Sequence, residues 1–174
     1  MRFHRSSMML SVISDASYLS ASLARSRLGG YFYLSERADT SPDSPPAPRN
    51  GAALVVSNII KNVVGSATEA EIAGCYHNGR EGCPIQVTLE EMGWKQGTTQ
   101  ITTDNEVAEG FANDTIKQNR TKSIDMNYYW VRCRTKQGQY IVIWRRGNTN
   151  DADYFTKHHS ATHHQEMRPV YIQE

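Results

Sequence analysis

Thr99-Gln100-Ile101-Thr102-Thr103-Asp104-Asn105 decides the fold class. The β-branched residues predict a short strand over 99–103 that ends directly on an acid. Asn105 is a good helix cap, and Val107 and Phe111 follow at i, i+4 spacing. A strand that hands an acid straight to a helix belongs to an α/β sheet, and such an acid faces the crevice where these sheets bind ligands. Three further acids border apolar stretches: Asp15 after Met9-Leu10-Ser11-Val12-Ile13-Ser14, Glu71 inside Ser66-Ala67-Thr68-Glu69-Ala70-Glu71-Ile72, and Asp153 in Ala152-Asp153-Tyr154-Phe155-Thr156-Lys157. Charges of one sign gathered at strand ends repel each other and resist burial, so such a set persists mainly where divalent cations neutralise it. Asp15, Glu71, Asp104 and Asp153 therefore read as a metal-binding carboxylate cluster.

Working outward, segments 8–15, 28–34 and 53–60 have the composition of strands, and Tyr140-Ile141-Val142-Ile143-Trp144 reads as the last one. Four of the six prolines lie between the second and third strands, which makes 35–51 a surface loop. Ser66-Ala67-Thr68-Glu69 matches a capping box and starts a helix, giving Glu69 a structural duty and leaving Glu71 to project from another side. A separate helix is expected from Pro84 to about Gly93, with Ile85, Leu89 and Met92 on one face. Another is expected after Thr121 or Ser123, with Ile124, Tyr128 and Val131 inward and Gly138 as its stop. Asp153 opens a short final helix. The first three strands can form an antiparallel meander, and the last two can add in parallel through helical crossovers.

The 174 residues suit one domain with a single core. With 39% hydrophobic and 21% charged residues the composition is that of a globular protein, and no apolar run approaches the roughly 20 residues that span a bilayer. The basic start, Met1-Arg2-Phe3-His4-Arg5, lacks a secretory apolar region behind it, so an intracellular location, cytoplasmic or nuclear, is expected. Cys75, Cys83 and Cys133 are odd in number and have no CxxC spacing, which predicts reduced structural thiols. Net charge is only +1, but residues 117–146 hold eight Lys or Arg against the single acid Asp125. A basic segment beside an acidic remainder is the footprint of a protein that grips a phosphate backbone while holding metals on carboxylates; a solvated helix face is the plainer reading.

This order of strands, helices and acids resembles ribonuclease H. Ser14-Asp15-Ala16-Ser17-Tyr18, Ala67-Thr68-Glu69-Ala70-Glu71, Thr103-Asp104-Asn105, the segment from Lys122-Ser123-Ile124-Asp125 to Tyr129-Trp130-Val131-Arg132, and Ala152-Asp153-Tyr154-Phe155-Thr156-Lys157 are similar to the ribonuclease H segment of copia-type LTR retrotransposon polyproteins. The resemblance covers residues 8–157, leaving a leader at 1–7 and a His-rich tail at 158–174. It implies an RNase H-like α/β fold: a five-stranded mixed sheet, three strands antiparallel and two parallel, flanked by helices. It also implies that Asp15, Glu71, Asp104 and Asp153 are catalytic acids holding two Mg²⁺ ions, with Mn²⁺ as a possible substitute, about 4 Å apart. The implied substrate is the RNA strand of an RNA–DNA hybrid, told from DNA by its 2′-hydroxyls. A reverse transcriptase domain of the parent polyprotein is the implied protein partner.

Lys117, Arg120, Lys122, Arg132 and Arg134 are then phosphate contacts as a group, and Arg145-Arg146 either grips a cleaved phosphate or is an exposed strand end. Asn105 either touches the hybrid backbone or only caps its helix. Cellular ribonucleases H often carry a histidine before the last acid, whereas 145–151 contains none. Four of the six histidines fall in the tail, His158, His159, His163 and His164, where a mobile post-domain segment is favoured over a zinc site. Two other classes fit the same sequence: an inactive or domesticated nucleic-acid-binding module, and another metal nuclease or strand transferase of the same broad fold.

Overall fold

The computed structural model describes residues 3–36, 45, 47–116 and 126–171. Its centre is a five-stranded sheet in the order β3-β2-β1-β4-β5, built from β1 (Met9–Ala21), β2 (Arg25–Ser35), β3 (Ala52–Ile59), β4 (Thr99–Thr103) and β5 (Tyr140–Trp144). β1, β2 and β3 pair antiparallel, whereas β4 lies parallel to β1 and β5 parallel to β4. This is the mixed sheet the strand order predicts, with β4 and β5 ending where the sequence reading puts them.

The helices are α1 (Ala67–Glu91), α2 (Glu106–Ala112), α3 (Tyr129–Lys136) and α4 (Ala161–Tyr171). At the start of α1, Ser66 Oγ accepts from the Glu69 amide at 3.1 Å. The expected return bond goes one residue further out, since Glu69 Oε2 accepts from the Gly65 amide at 2.7 Å. The helix expected to begin at Pro84 is instead the second half of α1, which runs through the proline. Pro84 and Arg80 are both exposed, so the helical bond that the proline removes lies on the solvent side of α1. Leu89 is buried as expected, while Met92 is 65% exposed. Asn105 Oδ1 caps α2 through the Ala108 amide at 2.9 Å. Past α3, Gly138 takes a positive φ of 71° and ends the helix.

Two apolar layers cover the two faces of the sheet. On one, Leu10, Val12, Leu28 and Phe32 pack with Ala70, Ala73 and Leu89 of α1 and with Phe111, Tyr128 and Val131. On the other, Ile13, Tyr31, Tyr33 and Ala52 pack with Ala152 and with the partly buried Phe155 and Tyr171. The alternation of Val12 and Ile13 between the layers is the two-residue period of a strand covered on both sides. Gly29 and Gly30 sit where both layers come closest: a Cβ on Gly29 would lie 2.7 Å from the Ala152 carbonyl oxygen, and one on Gly30 would overlap the Asn78 carboxamide. Asn78 is wholly buried and donates to Ser14 Oγ at 2.9 Å and to the Gly29 carbonyl at 2.8 Å, tying α1 to β1 and β2.

The tail is not a mobile extension over 161–171, which forms α4. Tyr171 donates to the Asp151 carbonyl at 2.7 Å, and its ring stacks on Tyr154 at 4.8 Å, so aromatic packing holds the helix against the domain.

Candidate metal centre

The site forms where β1 and β4 part. Their last registered pair is Ile13 with Thr102, so Asp15 and Asp104 each stand two residues further along, at matching positions on the two strands. β4 stops at Thr103, but β1 runs on to Ala21 because its pairing with β2 continues through Asp15–Gly29 and beyond. Asp15, expected at the end of its strand, is thus inside it. Glu71 reaches the same gap from the first turns of α1. One ligand oxygen from each of Asp15, Glu71 and Asp104 lies within 4.8 Å of the others, the one group of three or more possible metal ligands found together among the described residues.

The Glu71 and Asp15 carboxylates are held by neutral donors. Glu71 Oε1 accepts from the Ala16 amide at 3.0 Å, and Oε2 accepts more weakly from the Thr103 hydroxyl at 3.4 Å. Asp15 Oδ1 accepts from Asn150 Nδ2 at 3.1 Å, and Asp15 Oδ2 accepts from the Thr156 hydroxyl. Asp104 is placed through its main chain, whose carbonyl accepts from the Trp144 indole Nε1 at 3.0 Å, and its Oδ2 occupies the space that a Cβ on Gly147 would need. Burial, then the neighbouring Asp15 and Asp104 charges, push Glu71 up to about 9. Burial likewise raises Asp15 to about 6, with the Thr156 hydrogen bond opposing it and the Asp153 and Asp104 charges adding to it.

Asp153 stands beside this trio rather than in it. It lies in a single-turn segment over Asp151–Phe155, close enough for its charge to act on Asp15, and its Oδ1 is ion-paired with Lys157. The i, i+4 spacing across this turn brings the ammonium onto the carboxylate and gives Asp153 a cation of its own. Sequence reasoning missed Asn150, Thr156 and Lys157 as functional neighbours. Thr156 and Lys157 were in plain view in the motif around Asp153, but hydroxyl and ammonium groups carry no signal until the fold brings them to Asp15.

The expected phosphate contacts separate. Arg145 and Arg146 follow β5 at the end of the sheet where Asp104 lies, and the Arg145 amide bonds the Thr103 carbonyl at 2.9 Å. Arg134 lies at the opposite end, where it lines a cleft with Thr98, Gly138 and Gln139 and donates to Gln139 Oε1 at 2.9 Å. Arg132 is 3.0 Å from Asp114 and donates through Nε to the Phe111 carbonyl at 3.0 Å, so it fastens α3 to α2. Asn105 uses Oδ1 as a helix cap. Lys117, Arg120 and Lys122 fall outside the described residues, as does Asp125. The tail histidines do not gather into a metal set: His159 and His163 stack at 4.3 Å, and His164 Nδ1 shares a hydrogen bond of 2.6 Å with the Tyr154 hydroxyl.

Fold and site together define a sheet of the ribonuclease H class with an acidic trio at its open end. LC11-RNase H1, isolated from compost, superposes with a TM-score of 0.56 over 85% of this chain and 92% of its own, at 10% identity. The same enzyme in complex with an RNA/DNA hybrid gives 0.53 over 84% and 92%, at 9% identity. The N-terminal RNase H domain of a Mycobacterium tuberculosis protein gives 0.53 over 86% and 91%, at 12% identity. In sequence the chain is similar to the retrovirus-related Pol polyprotein from transposon TNT 1-94 of Nicotiana tabacum, a copia-type element, with 31% identity over 107 residues. That match takes in 62% of this chain and 8% of the polyprotein's length. No family model matches the chain.

Proposed function

We propose that this chain is a retroelement-derived ribonuclease H that hydrolyses the RNA strand of RNA–DNA hybrids with divalent cations. The observation that carries the proposal is the convergence of Asp15, Glu71 and Asp104 within 4.8 Å of one another. The donor set fits Mg²⁺ or Mn²⁺: all three groups offer hard oxygens, and burial together with neighbouring acids raises the pKa values of Glu71 and Asp15, so a divalent cation would favour their ionised forms. Asp15, Glu71 and Asp104 would hold the first ion, and Asp153 would join them for a second. When bound, the ions supply an activated water and a stabilised leaving oxygen for attack on a phosphodiester.

The chain's own residues set the conditions for that chemistry. Ala16, Thr103, Asn150 and Thr156 fix the carboxylates by donating to Glu71 and Asp15, so little reorganisation is required as the site loads. Arg145 and Arg146 stand beside Asp104 at the sheet's open end, where they would meet the phosphate backbone, and Lys117, Arg120 and Lys122 would extend that contact. The reading gains support from the hybrid complex of the similarly folded LC11 enzyme. Because the chain's relative is a long polyprotein, a reverse transcriptase domain is the proposed partner. Among the described residues no helix is long and apolar enough to cross a membrane. An intracellular site of action is part of the proposal, on the ground that the proposed substrate is a hybrid made by reverse transcription.

Incubation of the protein with a labelled RNA–DNA hybrid and Mg²⁺, against EDTA and Asp104→Asn controls, tests the proposal. Loss of the RNA strand that disappears in both controls supports it. Intact RNA with hybrid still bound replaces it with the reading of an inactive nucleic-acid-binding module.

A further inference from the structure

The fourth acid of the site already has a cation. Lys157 Nζ is ion-paired with Asp153 Oδ1, and the ammonium also feels the charges of Asp15 and Asp104. Its position is fixed by its neighbour in the chain: the Thr156 hydroxyl is buried in the site, donating to Asp15 Oδ2 and lying 3.0 Å from the Asp153 carbonyl. Residue 157 is therefore set down at the mouth of the cluster. The Lys157 side chain keeps 54% of its surface exposed and has open solvent to move into, whereas Asp153 is 31% exposed and attached to the packed turn.

We propose that Lys157 is a built-in counter-ion that competes with a divalent cation for Asp153, so that the trio of Asp15, Glu71 and Asp104 loads first and a second cation loads only by displacing the ammonium. The proposal rests on the reading of the site as a metal centre. A monovalent group held by the chain neutralises part of the cluster at no cost in diffusion, yet cannot bridge several carboxylates as a divalent ion does. Lys157 therefore makes occupancy stepwise and raises the cation concentration at which the site becomes complete.

Titration of the full chain with Mn²⁺, followed by isothermal calorimetry, reads this without activity. Wild type should give a tight and a weaker step. Lys157→Gln should tighten the weaker step by roughly fivefold, the scale of a partly exposed ion pair, and leave the first unchanged. Lys157→Arg should restore wild-type behaviour, and thermal melts in EDTA would establish that each variant is folded. A second step unaltered in Lys157→Gln, or altered equally in Lys157→Arg, overturns the counter-ion role while leaving the metal centre in place. Failure of wild type to bind Mn²⁺ at all overturns both the metal reading and the proposal.

Discussion

Thr156 donates its hydroxyl hydrogen to Asp15 Oδ2 across 141 residues of sequence, binding the end of the Asp151–Phe155 turn to β1. Thr156 is 2% exposed, so removal of the hydroxyl leaves a buried carboxyl with one donor fewer and no water to replace it. Thr156→Val, which keeps the shape, should destabilise the protein by about 1–3 kcal/mol in urea unfolding. It should also weaken cation binding, because Asp15 loses the contact that favours its charged form and its pKa rises further.

In metal-free protein, stability should fall as pH rises. Asp15 and Glu71 have folded pKa values of about 6 and 9, above their ordinary 3.8 and 4.5, so the folded state holds protons that the unfolded chain releases. Their favourable contribution is complete below the ordinary values and is lost as pH climbs through about 6 and then about 9. Melting temperatures in EDTA from pH 5 to pH 9 should decline, and Mg²⁺ or Mn²⁺ should remove most of the decline at its alkaline end. A flat profile without metal would contradict the buried, uncompensated state of Glu71.

Glu71→Gln separates stability from function. A glutamine imitates the protonated acid and can still accept from the Ala16 amide, as Glu71 does at 3.0 Å. At pH 8 the metal-free variant should melt at or above the wild-type temperature, since the penalty of a carboxyl held above its ordinary pKa is gone. The cation-induced rise in melting temperature should disappear, and cleavage of the hybrid should fall by at least about a hundredfold, the scale of losing an aligned electrostatic group.

Local signals carried most of this architecture. β-Branched and aromatic runs located all five strands, and the expected antiparallel meander of the first three with parallel addition of the last two is what the pairing of β1 with β2 and β4, and of β4 with β5, displays. Pro84 misled because the proline rule treats a helix in isolation, whereas α1 is held by Ala70, Ala73 and Leu89 against the sheet and turns its proline to solvent. α4 was hidden because its attachment is tertiary: Tyr171 finds Tyr154, Phe155 and Tyr31 only after the chain has folded. Within the site, the acids of the trio were legible as acids near strand ends and in a capped helix. The hydrogen bonds from Asn150 and Thr156 were not, because they depend on the path of residues 145–157 across β1.

Gly30 lies opposite Ser14 in the β1–β2 pairing, one step from Asp15, and leaves the space that the Asn78 carboxamide fills. A methyl group there would also come within 2.9 Å of Phe32, which is fully buried, so neither neighbour can yield cheaply. Gly30→Ala should cost about 1–3 kcal/mol by overpacking. Urea unfolding checks this, and an unchanged midpoint would mean that Asn78 is not held at the sheet as described.

Gly147 offers the opposite case, a glycine whose replacement should disturb the site more than the fold. A Cβ at Gly147 would lie 2.7 Å from Asp104 Oδ2, and its other close neighbours are the Cγ and Cβ of the same aspartate at 3.6 and 3.7 Å. Asp104 can relieve the contact by rotating its carboxylate, which is cheap for stability but turns an oxygen away from Asp15 and Glu71. The bond from the Trp144 indole Nε1 to the Asp104 carbonyl does not depend on that rotation and should keep the strand end in place. Gly147→Ala should therefore shift the unfolding midpoint by no more than about 0.5 kcal/mol, the range of an exposed substitution. It should at the same time raise the Mn²⁺ concentration needed to half-fill the first step of the calorimetric titration. Equal effects on stability and binding would place Gly147 in the fold's support rather than at the carboxylate, and unchanged binding would show that Asp104 reaches a cation by its other oxygen.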